Sequence, residues 1–386
     1  MQPSRLLSPP PAGRLPGLDL LRAIAIAWVM LFHLLRWEGF SGPLATLAEL
    51  GWMGVDLFFV LSGFLIGTQL LRSYASGGRP ALADFYSRRF FRVVPAFLAV
   101  LALYFLVPAF REAPGISPLW YFLTFTNNFL IDYAHNKAFS HVWSLCVEEH
   151  FYLLLPLLAQ WLMIKPSVKK ATLFALSLLG LGILLRAATW LYVLQPHLPN
   201  DPQTFGLLFV ERIYYPSYNR LDGLLVGVVL AGIKVFRPNW WRAAMQHGYS
   251  LLLAGGAILA LACYICLDRV SFAAVTFGFP LLSAGLGLIL LACVSDNCLL
   301  ATRRLPGMAP LATLAFSLYL SHKAVYHLLN TYQKHWLEQG GMAVYAIATL
   351  AAAACLYCLV ERPFLRWRDR LSQRRLDRNG QLGLSV

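Results

Sequence analysis

The chain has 386 residues, of which 58% are hydrophobic and only 13% charged, and it carries a formal net charge of +14. Its mean hydropathy is +0.60. A soluble domain is about one quarter charged, so the composition excludes an ordinary water-soluble globule and indicates an all-α, polytopic integral membrane protein.

The Pro-rich start, "MQPSRLLSPPPAGRLPG", has no apolar core of its own. Residues 1–16 are expected to form a disordered cytoplasmic tail ahead of a signal-anchor helix. Stretches of the length a bilayer requires, about 17–25 residues, recur near 18–36, 50–71, 92–110, 142–164, 170–193, 219–236, 249–267, 272–294, 309–331 and 341–361. About ten transmembrane helices are therefore expected. They lie within one transmembrane domain over 17–368, followed by a basic cytoplasmic tail over 369–386. The segment "LWYFLTFTNNFLI" at 119–131 is too short to cross and is expected to be re-entrant or interfacial.

The first span carries Asp19, Arg22 and His33. Eleven helical steps of about 100° bring Arg22 and His33 onto one face, about 16 Å apart along the axis. Asp19 lies one turn before Arg22 and can pair with it. Charged and ionisable groups inside a span mark a pathway or a site rather than a lipid-facing surface. In the second span Asp56, Gly63 and Gly67 share a face, which suggests close helix packing with an acid at one end. After it, "FYSRRFFRVVP" places Arg89 and Arg92 one turn apart among aromatics. Such a pair suits a phosphate or pyrophosphate, and it equally suits a positive anchor at the membrane interface.

The fourth span opens "HVWSLCVEEHFYLLLP". His141, Ser144, Glu148 and Tyr152 fall on one face, with Glu149 about 100° away. A carboxylate at the depth of His33 would be the usual means of orienting a general base. Arg186 in the fifth span is a charge in need of a partner. Arg220 and Asp222 open the sixth span, where Arg220 could meet an anion. In the ninth, "SLYLSHKAVYHLLN" sets Tyr319, His322, Tyr326 and Asn330 on one polar stripe. The seven cysteines form no disulfide framework. The pairs Cys263/Cys266 and Cys355/Cys358 sit in apolar helical runs, where cysteine packs as a small hydrophobe. No spacing suits zinc, so no metal is expected.

In the ten-span arrangement, 22 of the 32 Lys and Arg residues fall on one side. The positive-inside rule makes that side cytoplasmic and puts both termini there. The basic character is thus topological, and nucleic acid is not needed to explain it. Arg22 then lies near the cytoplasmic end of its helix and His33 near the outer end.

The ordered set "GLDLLRAIAIAWVMLFHLL", "GVDLFFVLSGFLIG", "FYSRRFFRVVPAFL", "HVWSLCVEEHFYLLLPLL", "RLDGLLVGV", "FSLYLSHKAVY" and "ERPFLRW" resembles the acyltransferase-3 family of bacterial integral-membrane O-acyltransferases over about residues 15–368. The resemblance places an Arg-x10-His motif on Arg22 and His33, an Arg-x-x-Arg motif on Arg89 and Arg92, and a Trp-Ser-Leu-x-x-Glu motif on Trp143, Ser144, Leu145 and Glu148. His150 departs from the glutamine of many relatives. The family implies a protein of the bacterial inner (cytoplasmic) membrane. Such a protein moves an acyl group, typically acetyl, from cytoplasmic acyl-CoA to a hydroxyl of a cell-surface or lipid-linked glycan. No cofactor is held permanently, and acyl-CoA is a donor substrate. Some relatives carry an appended extracellular esterase-like domain, absent from this chain, which is therefore expected to finish the reaction itself or with a partner.

On that reading Arg22, Arg89 and Arg92 hold the CoA polyanion. His33, oriented by Glu148 or Glu149, takes the acceptor proton. Asp19, Asp56, His141, Ser144, Arg220, Asp222, Tyr319 and His322 line the substrate path, with Tyr319, His322, Lys323 or Arg220 stabilising the oxyanion. A route through an acyl-enzyme on Ser62, Ser144 or a tyrosine is also open. A transporter or flippase would show similar buried charges but would have no need of His33. A structural subunit of a glycan-assembly complex would tolerate loss of His33 and of the Arg89/Arg92 pair alike.

Overall fold

The computed structural model describes residues 15–35, 42–78, 80–198, 200–336 and 341–383, with side chains to 373. Residues 1–14 of the tail expected over 1–16 lie outside the described residues. Among the described residues there are helices and turns but no strand, the one bridge joining Ile116 and Ala138.

The long helices are α1 (Pro16–Leu34), α2 (Met53–Ala75), α3 (Leu82–Leu106), α4 (Trp143–Ile164), α5 (Val168–Thr189), α6 (Asp222–Phe236), α7 (Gly248–Ile265), α8 (Phe279–Cys293), α9 (Met308–Tyr332), α10 (Met342–Leu356) and α11 (Arg362–Gly383). Pro16 occupies the start of α1, where a missing N–H and a fixed φ favour helix initiation. Among the described residues, eight helical segments are long and apolar enough to cross a bilayer, making this a multi-pass membrane protein. A ninth is obtained if α6 and Pro238–Met245, bent by 109°, count as one span. The ninth expected span, α9, is 25 residues long but is not among those eight. Its serines, histidines, Lys323 and Asn330 lower its hydropathy, and it packs inside the bundle between α1 and α10. The 119–131 segment forms two short helices, Leu119–Leu123 and Asn127–Leu130, broken at Phe125, which has a φ of 56°. Neither piece could cross a membrane.

The stripe of small residues on α2 does what its spacing suggested. A Cβ on Gly63 would lie 2.2 Å from the Leu224 carbonyl oxygen, and one on Gly227 would lie 2.3 Å from that of Val60. Helices α2 and α6 therefore touch backbone to backbone, the close approach that small residues permit in membranes. Gly63→Ala should cost about 1–3 kcal/mol by overpacking. A fall in the melting temperature of detergent-solubilised protein would show it, and an unchanged melting curve would mean that the contact is looser than described.

Two enclosed ion pairs lie around the head of α6. Arg220 donates from Nη2 to both oxygens of Asp56 at 2.9 Å. Its guanidinium carbon lies 3.9 Å from the ring centre of Phe279 and 4.7 Å from that of Tyr214. Arg186 donates to Asp222 at 2.8 and 3.1 Å and to the Asn219 carbonyl at 2.7 Å. These pairs tie α2, α5 and the head of α6 together.

Candidate functional site

Helix α9 organises the polar centre. Its Ser317 donates to Glu361 at 2.8 Å, and Glu361 also accepts a hydrogen bond from Arg92 on α3. Glu361 lies on a π turn, Tyr357–Glu361, that follows α10. Five residues further along, His322 meets His33, with Nε2 of one ring 2.9 Å from Nδ1 of the other. The two contacts are thus about 7.5 Å apart along the axis of α9 and about 140° apart around it. Between them, the Tyr319 hydroxyl donates to the His141 carbonyl at 2.8 Å and lies 3.0 Å from the Ser144 hydroxyl. His141 Nε2 lies 3.1 Å from the Tyr319 carbonyl. The rings of His33, His141 and His322 are mutually close, with centroids 4.9, 5.3 and 6.3 Å apart. Among the described residues, no group of three His, Cys, Asp or Glu side chains is arranged to hold a metal ion.

A second polar layer lies on α4. Glu148 accepts from the Ser62 hydroxyl at 2.8 Å and from the Tyr152 hydroxyl at 3.1 Å. The guanidinium of Arg89 sits 5.9 Å from the centre of the Tyr152 ring, and its Nε is buried with no hydrogen-bond partner. The same holds for Oε1 of Glu149. His33, Arg89, Arg92, Glu148 and Glu149 are half-buried, whereas His322 and His141 are enclosed.

The faces expected from the spacing do come together. His141, on the 3-10 turn Ser140–Val142 that leads into α4, continues the stripe of Ser144, Glu148 and Tyr152, and that stripe meets α9 and α2. Asp19 and Arg22 pair at 3.7 Å. The partner of His33 differs from expectation. Its ring is held by His322, while the Glu148 carboxylate is held by Ser62 and Tyr152. The long-range pairing of α1 with α9 decided this, and no local pattern encodes it. Asp56, Arg220 and Asp222 sit in the enclosed ion pairs already described rather than facing an open path. Ser62 bonds a carboxylate, not its own helix backbone.

Two features were not read from the sequence. Glu361 anchors Arg92, and its only signal was the "ERPFLRW" motif. Glu112, in the connection after α3, pairs with Lys323 at 2.7 Å and accepts from the Phe139 N–H at 3.2 Å. Burial pushes the Glu112 carboxyl up, but the Lys323 ammonium and the hydrogen bonds outweigh it and hold the carboxyl below its ordinary value. The stability this contributes is present above the unfolded-state pKa and is lost as pH falls through the lower folded-state value. The 107–118 connection should therefore become protease-sensitive below about pH 4, and the Glu112→Gln variant should show the same sensitivity at neutral pH. Equal resistance of both proteins at every pH would remove the pair's role.

A groove of about 520 Å³ lies at the start of α5 and is lined by Trp161, Ser167, Lys169, Lys170 and Phe174. It includes no residue of the polar centre.

Comparison with known proteins gives a consistent picture. A family model described as an acyltransferase domain matches residues 15–361. O-acetyltransferase OatA of Staphylococcus aureus (strain NCTC 8325 / PS 47) is 29% identical over 385 residues, covering 90% of this chain and 57% of that protein. Peptidoglycan O-acetyltransferase OatA of Listeria monocytogenes is 31% identical over 235 residues, covering 57% of this chain and 34% of the relative. The chain thus spans little more than half the length of the curated relatives it matches. No solved structure matches.

Proposed function

Because the chain belongs to the acyltransferase-3 family of membrane acyltransferases, we propose that it transfers an acetyl group from cytoplasmic acetyl-CoA to a hydroxyl of a cell-surface glycan, with His33 as the general base. One observation carries this reading. On α9, Ser317 holds the Arg92–Glu361 pair and His322 holds His33, so one helix positions both groups. Arg92, able to hold phosphate, and His33, a proton acceptor, are thereby both anchored by α9.

The donor would lodge its phosphates against Arg89 and Arg92. Glu361 fixes the Arg92 side chain, whose remaining N–H groups can bond phosphate oxygens. The narrow pantetheine arm would carry the thioester between the helices towards His33. His33 takes the proton of the acceptor hydroxyl as the oxygen attacks the thioester carbon. The carbon–sulfur bond breaks, and the leaving thiolate receives the proton, so that ester and free CoA thiol are the products. Both half-reactants keep to their own side of the bilayer, with the termini in the cytoplasm of a bacterial inner membrane. The names of the relatives support acetyl as the group and a glycan as the acceptor.

A two-step route through an acyl-enzyme has one observation in its favour, the Ser62 hydroxyl donating to Glu148. Trapping a labelled acetyl ester on Ser62 would establish it.

In a Glu361→Gln background, which avoids leaving an enclosed carboxylate unpaired, replacing Arg89 and Arg92 together by Ala should raise the KM for acetyl-CoA about tenfold to a hundredfold, the size of one or two lost charge-assisted hydrogen bonds. Substitution by Lys should recover part of the loss, since a point charge cannot reproduce the guanidinium fork. Release of CoA thiol by membrane vesicles supplied with acetyl-CoA measures it. An unchanged KM in the double Ala variant would place donor binding elsewhere.

A further inference from the structure

We propose that His322 is a positioning residue that fixes His33 in the one tautomer competent to act as base, an inference that rests on the reading of His33 as the proton acceptor. The argument is a chain of hydrogen-bond polarities. His322 Nδ1 lies 2.9 Å from the carbonyl oxygen of Leu318, one turn back on α9. A carbonyl only accepts, so this nitrogen carries the hydrogen. In the neutral ring Nε2 then holds a lone pair, and it faces His33 Nδ1 at 2.9 Å. Two lone pairs cannot make that contact, so His33 Nδ1 is the donor. The basic nitrogen of His33 is therefore Nε2.

The neutral state of His322 follows from its surroundings. The residue is 0% exposed, as is Leu318. Its two nitrogens end on a carbonyl and an imidazole, not on a carboxylate. The next residue, Lys323, is cationic and already bonded to Glu112, so a further positive charge would lie enclosed without a counter-ion. Free neutral imidazole side chains favour the opposite, Nε2–H form. His322 thus selects for His33 the form it would otherwise populate less, and the bond on the second nitrogen is what sets a histidine's tautomer.

The pair also serves the transition state. As His33 Nε2 takes the hydroxyl proton, its Nδ1–H already points at His322 Nε2. The developing charge spreads over both rings and ends on the Leu318 carbonyl dipole. A neutral imidazole here does the orienting work that a carboxylate does in a serine-protease triad.

Solid-state NMR of the full-length protein in lipid, with isotope-labelled histidine, reads the tautomers directly. Both His33 and His322 should show hydrogen on Nδ1, with His33 reverting towards the Nε2–H form in His322→Leu. His33 found as the Nε2–H form in the unsubstituted protein would overturn the proposal. In vesicles supplied with acetyl-CoA, His322→Leu should lower kcat about tenfold to a hundredfold, leaving the KM for acetyl-CoA unchanged. His322→Gln, whose amide oxygen can still accept from His33, should regain most of that loss. Wild-type kcat in the Leu variant, or no recovery in a folded Gln variant, would also overturn it. His33→Ala separates the two ideas, because full activity in that variant defeats the base reading while the NMR result for the tautomer stands.

Discussion

The His33→Ala protein should insert and fold normally yet lose acetyl transfer by a factor of about 10²–10⁴, the usual contribution of a positioned general base. Alanine is well tolerated in a helix, and His33 lies one residue before the end of α1. The substitution leaves His322 with an unmet acceptor, which costs about 1–3 kcal/mol, a modest loss for a bundle of this size. His33→Gln offers a stricter comparison, because its amide N–H can still donate to His322 while it cannot take a proton. Both variants should therefore be inactive with near-normal melting temperatures. Base-labile acetate released from the glycans of an expressing strain measures the activity. Retention of full acetylation by either variant would mean that some other group removes the proton.

Arg220→Met should have the opposite profile, acting on the fold. Removing the guanidinium leaves the Asp56 carboxylate, 2% exposed, beside Phe279 and Tyr214 with no counter-ion. Breaking an enclosed pair by deleting one partner costs about 3–5 kcal/mol, comparable to a large share of the stability of a typical domain. The expected outcome is poor yield of monodisperse protein and a much lower melting temperature. The double variant Asp56→Asn/Arg220→Met should be more stable than the single one, because both charges are gone. If Arg220→Met melts normally but fails to acetylate, the arginine faces substrate after all.

These contrasting predictions also mark what could be read from the chain alone. Hydropathy located the helices, since an apolar run of about 20 residues has one main reading. Helical periodicity grouped His141, Ser144, Glu148 and Tyr152, and the stripe survives intact. The stripe on α2 likewise announced a close contact through Gly63. Periodicity is silent on which stripe meets which. His33 and His322 are 289 residues apart in sequence, and Arg92 and Glu361 are 269 apart. Glu148 was the plausible partner of His33 by depth, and Ser62 took it instead. Arg220 and Asp222 looked alike in sequence as polar residues at a helix start. Only packing shows that each is joined to a different helix, to Asp56 on α2 and to Arg186 on α5.

The central claim is that an acetyl group passes from a cytoplasmic thioester to an outer hydroxyl through His33. Inverted membrane vesicles, whose cytoplasmic face is outward, test it when given acetyl-CoA with a labelled acetyl group. The label should enter the vesicles and appear as alkali-labile ester on the enclosed glycan, at background level with His33→Ala. Equal labelling of the glycan in the His33→Ala vesicles would contradict the account.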